Sequence, residues 1–148
     1  EASKEIMGRD APSRARQVIH TSDVIISTVR PNLRATALVP KYLDDQICST
    51  GFCVVRPSEQ INYYYLYAIS RMEWFTSILV SKVRGASYPA VTDKDILEVE
   101  IPIPSISEQQ RFANIVQKIE KIKEKQQESK KELSNLFNSL MQKAFPAV

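Results

Sequence analysis

The sequence predicts an α+β (mixed α/β) domain that carries a long C-terminal coiled-coil helix. Three observations predict it: short β-branched runs within residues 17–57, an apolar three- and four-residue spacing from Ile61 to Leu79, and an uninterrupted stretch from Ser107 to Phe145 with neither Gly nor Pro. At 148 residues, with 43% hydrophobic and 25% charged side chains, the chain can build one core and still carry an appendage. The expected division is a globular unit over 1–104 and a helical element over 105–148.

"DVIISTV" (Asp23–Val29), "ATALV" (Ala35–Val39) and "GFCVV" (Gly51–Val55) lie between Pro, Asn, Asp and Gly, so three or more short strands are expected. "RPNLR", Arg30 to Arg34, reads as a turn from its Pro-Asn pair. Ile61, Tyr65, Ala68, Met72, Phe75 and Leu79 share one helical face, with Ser58 as its expected N-cap. Tyr and Phe at that spacing read as packing against a sheet rather than as a base-stacking platform. Gly85 ends this helix, a basic loop follows, and Thr92 with Asp95 predicts a capping box for a short helical turn.

"EVEIPIP" is extended chain. Pro102 and Pro104 lack amide donors and disfavour helix before them, which leaves an edge strand or a stiff connector. The helix beyond is expected to start at Ser107, with Ser107 and Gln110 as an S-x-x-Q capping box. At ~1.5 Å per residue it forms a rod roughly 58 Å long, more than a small domain can bury. Phe112, Ile115, Ile119, Ile122, Gln126, Ser129, Leu133, Leu136 and Leu140 keep a 3,4 repeat without a slip, the seam of a coiled coil with a polar layer at Gln126 and Ser129. A second helix is therefore the expected partner, parallel or antiparallel.

No apolar run reaches the ~18 residues of a membrane span and no signal pattern opens the chain, so a cytoplasmic protein without a membrane partner is expected. Glu1 at the start, with no capped element in "EASKEIMGRDAPSRAR", fits a segment of a longer polypeptide. Two cysteines, Cys48 and Cys53, and one histidine, His20, cannot make a four-ligand zinc site; the thiols read as reduced core residues. No phosphate-binding Gly-rich loop and no H-E-x-x-H motif is present. His20 beside "TSD" reads as a strand-end or turn residue, and the pairs Asp44-Asp45 and Asp93/Asp95 sit at turn and cap signals that explain them without a metal. Neither a catalytic residue nor a cofactor is expected.

The net charge is only +3, but its distribution is informative: eight Lys/Arg face five Asp/Glu between Ser107 and Phe145, and the remainder is balanced. Within the globular part, Arg9, Arg14, Arg16, Arg30 and Arg34 cluster against only Asp10 and Asp23. Lys82 and Arg84 flank the Gly85 loop that continues to Ser87 and Tyr88. Such loops on a small β scaffold can supply phosphate contacts and bidentate base-edge contacts. The candidate DNA-binding residues are Arg14, Arg16, Arg30, Asn32, Arg34, Lys82, Arg84, Ser87 and Tyr88, with Arg30 and Arg34 aimed at bases and the Lys and outer Arg residues at phosphate.

With the joint and the rod in place, the chain resembles the C-terminal half of a specificity subunit of a type I restriction-modification system. The family's "IP-x-P-x-x-x-EQ" joint stands here at Ile101–Gln109, and its "L-x-x-x-AF" helix end at Leu140–Phe145. "APSRARQVIHTSDVIISTVRPNLR" and "GASYPAVTDKDI" are also similar to parts of its target recognition domains. The family's usual opening strand is missing, and one recognition domain and one long helix stand where a full subunit has two of each. The resemblance implies that 1–104 is a target recognition domain and that the rod is a spacer, pairing with the long helix of the other half or of a second copy. It implies sequence-specific reading of one half of a bipartite double-stranded DNA site; a homodimer would read a palindromic split site. It further implies adenine methylation with S-adenosylmethionine by a modification subunit and ATP-driven cleavage by a restriction subunit, with neither cofactor bound here. The residues alone leave open a coiled-coil transcription regulator, a nuclease or methyltransferase in its own right, and an interaction module that binds no DNA.

Overall fold

A computed structural model describes residues 6–85 and 87–145; the outer ends of the two expected spans, 1–5 and 146–148, lie outside them. It shows an α+β unit with two small antiparallel sheets and a 39-residue C-terminal helix. β1 (Ala15–Ile19) pairs with β4 (Gln46–Ser49), while β2 (Val24–Ser27) lies between β3 (Thr36–Leu38) and β5 (Phe52–Val55). The three runs read from the sequence are β2, β3 and β5. β1 and β4 carry only short apolar pairs, Val18-Ile19 and Ile47-Cys48, and bury only Ile19 between them, so their pairing leaves little hydrophobic signal.

Alternation along β2 sends Val24 and Ile26 into the core, where they meet Cys53 of β5. Burial pushes the Cys53 thiol up to about 12, so it stays a neutral core residue; Cys48 is half-buried. The sheets are joined where Gln17 Nε2 donates to the Phe52 carbonyl at 2.9 Å, and the β2–β5 pairing is extended where Thr28 donates through both its N–H and its hydroxyl to the Gly51 carbonyl at 3.0 Å.

The single helix expected from Ile61 to Leu79 is two helices, α1 (Tyr63–Ile69) and α2 (Glu73–Ser81). Ser70 Oγ donates back to the Tyr67 carbonyl at 2.8 Å, and Met72 is extended and starts α2. The break lets Tyr65, Leu66 and Ile69 of α1 and Phe75 and Leu79 of α2 reach one core, while Met72 stays exposed. Asn62, not Ser58, caps α1, its Oδ1 accepting from the N–H groups of Tyr64 and Tyr65. α3 (Asp93–Leu97) has the expected Thr92/Asp95 capping box.

Residues 99–105 join no strand ladder, so the proline segment is a connector rather than an edge strand. α4 (Ile106–Ala144) is capped two residues earlier than expected: Ser105, not Ser107, is its N-cap, and Glu108 completes the box by accepting from the Ser105 N–H and hydroxyl. A carboxylate there satisfies the amide and faces the positive end of the helix dipole, which a Gln110 amide cannot match. Gln109 and Ala113 are buried against the unit, Phe112, Val116, Gln117 and Glu120 are half-buried, and every described residue after Glu120 is exposed. No helix among the described residues is long and apolar enough to cross a membrane.

One ion pair braces the sheet. Asp23, 1% exposed, accepts from Arg56 Nε at 2.9 Å and Nη2 at 2.8 Å and from the His20 N–H at 2.8 Å. Burial alone would raise its pKa, but the Arg56 and His20 bonds together hold it below the ordinary 3.8. Asp23→Ala should cost about 3 kcal/mol in a urea titration. Because the native value is depressed, this stabilisation is fully present above pH 3.8 and is lost as pH falls through the native value. Asp23→Asn should accordingly flatten the acid limb of the stability profile.

Candidate nucleic-acid interface

The "RPNLR" segment is a 3-10 turn over Pro31–Leu33 whose two flanking arginines, Arg30 (φ 49°) and Arg34 (φ 52°), both sit in the left-handed region. Non-glycine residues there carry strain of ~1–3 kcal/mol each and persist only where surrounding structure holds them. Three contacts do so: Pro31 is buried, α2 packs on the turn, and the Arg30 N–H donates to the Pro89 carbonyl at 2.9 Å. Asn32, Leu33 and both arginines are left exposed.

The Pro89 bond also brings in the second predicted loop. Arg84 and Ala90 exchange both backbone hydrogen bonds, at 2.9 and 3.1 Å, and Val29 pairs with Ala90, so the 84–90 loop lies beside the Arg30 turn. Gly85 (φ +87°) makes the loop possible, since a Cβ there would stand 2.9 Å from the Tyr88 carbonyl oxygen. Ser87 and Tyr88 are exposed at its tip. Arg16, exposed on β1, and Arg14, exposed in the turn just before it, lie at the other sheet. A bonded path nevertheless runs from the Arg14 carbonyl through the Thr50 N–H, and from the Gly51 carbonyl to Thr28, two residues before Arg30. Arg16 is turned onto its own loop, its Nε donating to the Ser13 carbonyl at 2.8 Å.

Two carboxylates and one backbone carbonyl tether three of the cations. Arg84 Nη2 lies 3.6 Å from Asp95 Oδ1, Lys82 Nζ lies 3.5 Å from the Asp95 carbonyl, and Arg34 Nη2 lies 4.0 Å from Glu73 Oε2. Thr92, through its hydroxyl and N–H, holds the Asp95 carboxyl below its usual range, and Arg84 and Lys82 add to this, so Asp95 is a fixed anion against which Arg84 is oriented. Sequence reasoning read Asp95 only as a cap and did not single out Glu73, because neither points to its partner in the linear order.

The remaining polar cluster belongs to a turn. His20 Nδ1 lies 3.0 Å from Asp45 and 3.7 Å from Asp44, their ligand-type atoms within 4.8 Å of one another. Asp44 already accepts the Thr21 N–H at 2.8 Å, which is the main reason its carboxyl is held low, and both carboxylates are exposed. Along α4, Ile115, Ile119, Ile122, Leu133, Leu136 and Leu140 are between 45% and 67% exposed, with Gln126 and Ser129 exposed between them. Phe112, the first residue of the predicted seam, instead packs on the core, edge-on to Tyr65 at 5.7 Å.

Basic turns gathered on a small α+β unit, with an apolar-striped helix too long for that unit to cover, define the class: a basic-faced module with a protruding helix. Comparison with known proteins gives the class a family. The sequence model described as "Type I restriction modification DNA specificity domain" matches residues 7–135, and the chain belongs to that family. It is 26% identical over 113 residues to the type I restriction enzyme HindI specificity subunit of Haemophilus influenzae, covering 73% of this chain and 24% of that protein. The solved HsdS subunit from Thermoanaerobacter tengcongensis is 41% identical with a TM-score of 0.69, over 97% of this chain and 38% of that one. A chain from a structure of complex assembly and conformational transition of the type I R-M system is 42% identical with a TM-score of 0.71, again over 97% and 38%. The chain thus spans well under half the length of each relative.

Gly85→Ala should separate loop from core. It should lower global stability by only about 1–2 kcal/mol, since the loop is peripheral, while displacing Tyr88 and weakening duplex binding. Thermal unfolding alongside fluorescence anisotropy with a labelled duplex checks both halves of this expectation.

Proposed function

We propose that this chain reads one half of a bipartite double-stranded DNA target and so supplies target specificity to a type I restriction-modification complex. The observation that carries the reading is the bonded pair of loops, the Arg30–Arg34 turn and the 84–90 hairpin, which puts Arg30, Asn32, Arg34, Arg84, Ser87 and Tyr88 on adjoining exposed turns. Held arginines can form bidentate contacts with guanine in the major groove, and Asn32 can do so with adenine. Arg14, Arg16 and Lys82 supply phosphate contacts that fix register without reading sequence.

In this reading residues 1–104 form the target recognition domain and 105–148 the spacer. The exposed stripe from Ile115 to Leu140 takes a second long helix, from the other half of the subunit or from a second copy. Methyl transfer from S-adenosylmethionine and ATP-driven cleavage belong to modification and restriction subunits, and this chain binds neither cofactor. That partnership is supported by family membership and by a 42%-identical relative whose structure concerns assembly of such a system. The working place of the complex is the cytoplasm, with the DNA it reads.

Arg30→Ala or Arg34→Ala should relax discrimination at one base pair by ~1–3 kcal/mol, whereas Lys82→Ala should weaken all sequences alike and lower the salt slope by about one. Equal losses by the arginine variants on specific and random duplex would remove the base-reading role. Methylome sequencing of a host with and without this segment in the intact system tests the whole reading: a split methylated motif should change in one half. Failure to co-purify with a modification subunit would favour a free-standing DNA-binding regulator.

A further inference from the structure

Gln109 is fully buried, and its amide is bonded on every side that can donate. Its Nε2 donates to the carbonyls of Gln60 at 3.0 Å and Pro104 at 2.9 Å, and its Oε1 accepts the Asn62 N–H at 2.8 Å. Three segments therefore meet at one side chain: the approach to α1, the proline connector and the first turn of α4. Asn62 is a second node. While its Oδ1 caps α1, its Nδ2 donates to Gln110 Oε1 at 3.0 Å. Tyr65 closes the third side, its hydroxyl donating to the Pro102 carbonyl at 2.8 Å and its ring meeting Phe112.

Apolar contact alone would seat a helix but let it roll or slide, because the hydrophobic effect has no direction. Directional hydrogen bonds to three segments fix both the tilt and the rotation of α4. The consequence is amplified by length. From Gln109 to Ala144 the helix runs ~53 Å, so a tilt of ~10° moves its far end by ~9 Å. At ~3.4 Å per base pair that displacement is between two and three base pairs, about the scale on which a split site is distinguished from its neighbours.

We propose that Gln109, with Gln110, is a positioning element: acting through Asn62 and Pro104, it sets the angle at which the rod leaves the recognition unit, and thereby the gap between the two half-sites. The proposal rests on the bipartite reading above. It assigns the setting of the gap to a polar clamp, whereas the connector prolines by themselves only keep the helix from extending backwards.

The test uses the full specificity subunit carrying Gln109→Met, which keeps the volume and removes the three bonds, and Gln110→Ala, an exposed change that removes the Asn62 Nδ2 bond and, within α4, a bond from Gln110 Nε2 to Asn114 Oδ1. Binding is measured on duplexes in which both half-sites are constant and the gap varies one base pair at a time. The unaltered subunit should prefer one gap by about tenfold over its neighbours. Gln109→Met should reduce that preference below about threefold, and Gln110→Ala should give an intermediate value, while both keep the base preference within each half-site. A purely stabilising residue would instead weaken every gap in proportion. An unchanged gap profile in Gln109→Met overturns the proposal; if that variant fails to fold, an unchanged profile in Gln110→Ala does so.

Pulsed electron-resonance distances between spin labels at Ser77 on α2 and Ser139 on α4, both exposed, give a readout independent of DNA. They should be sharp in the unaltered chain and broad in the variants, and sharp distances throughout also overturn the proposal. An unaltered subunit with no gap preference at all, but with sharp distances that broaden in the variants, would overturn the bipartite reading and leave the clamp standing.

Discussion

The burial of one glutamine amide makes a single mechanical unit of this protein. A buried amide without partners is costly, and the segments around Gln109 are shaped to supply them: two carbonyls, at Gln60 and Pro104, and one N–H, at Asn62. Among the described residues no buried side-chain nitrogen or oxygen lacks a partner. Because Gln109 is one residue beyond the Ser105/Glu108 box, the cap that starts α4 and the clamp that aims it act within the same turn. The prolines contribute by lacking N–H groups, and Pro102 and Pro104 each offer a carbonyl to this joint.

The proposed recognition face follows a different logic. Its side chains are exposed and gain little from packing, so their placement comes from the backbone beneath them: a buried proline, a left-handed residue at each end of a turn, and a hairpin pinned at Ala90. Nearby carboxylates orient the cations without neutralising the surface. The exposed Arg34–Glu73 pair contributes about 0–1 kcal/mol to stability, so its effect is on where Arg34 points rather than on how firmly the domain folds, whereas Arg84 is held by the buried Asp95. Substitutions on such a face leave the Asp23–Arg56 brace and the sheet below as they are.

The rod is governed by length. The unit covers only the first turns of α4, and beyond Glu120 the apolar stripe has no cover within the described residues. Phe137 and Met141 widen the stripe near the far end. Packing Phe112 inward to Tyr65 shortens the exposed part of the stripe, which begins at Ile115. The joint and the seam are thus consecutive along one helix, and the side chain at 112 marks where one passes into the other.

The sequence by itself determined what depends on local pattern: the α+β class, the three β-branched strands, the turn at "RPNLR", the Thr92/Asp95 cap, the long helix and its 3,4 stripe, and the resemblance carried by the joint. Strong periodicity and capping chemistry act between residues close in the chain, so they are legible there. Only the tertiary structure decided the rest. β1 and β4 pair without a hydrophobic signature, and Ser70 to Met72 break a helix whose face spacing runs on unbroken. Two serines both fit a capping pattern at the rod, and the carboxylate of Glu108 settled the choice for Ser105. Arg34 meets Glu73, Arg84 meets Asp95, and Gln109 meets Asn62, across separations of 11 to 47 residues that no local spacing encodes. A side chain's partners are set by which segments the core brings together, and a buried polar residue such as Gln109 is intelligible only once those segments are in place.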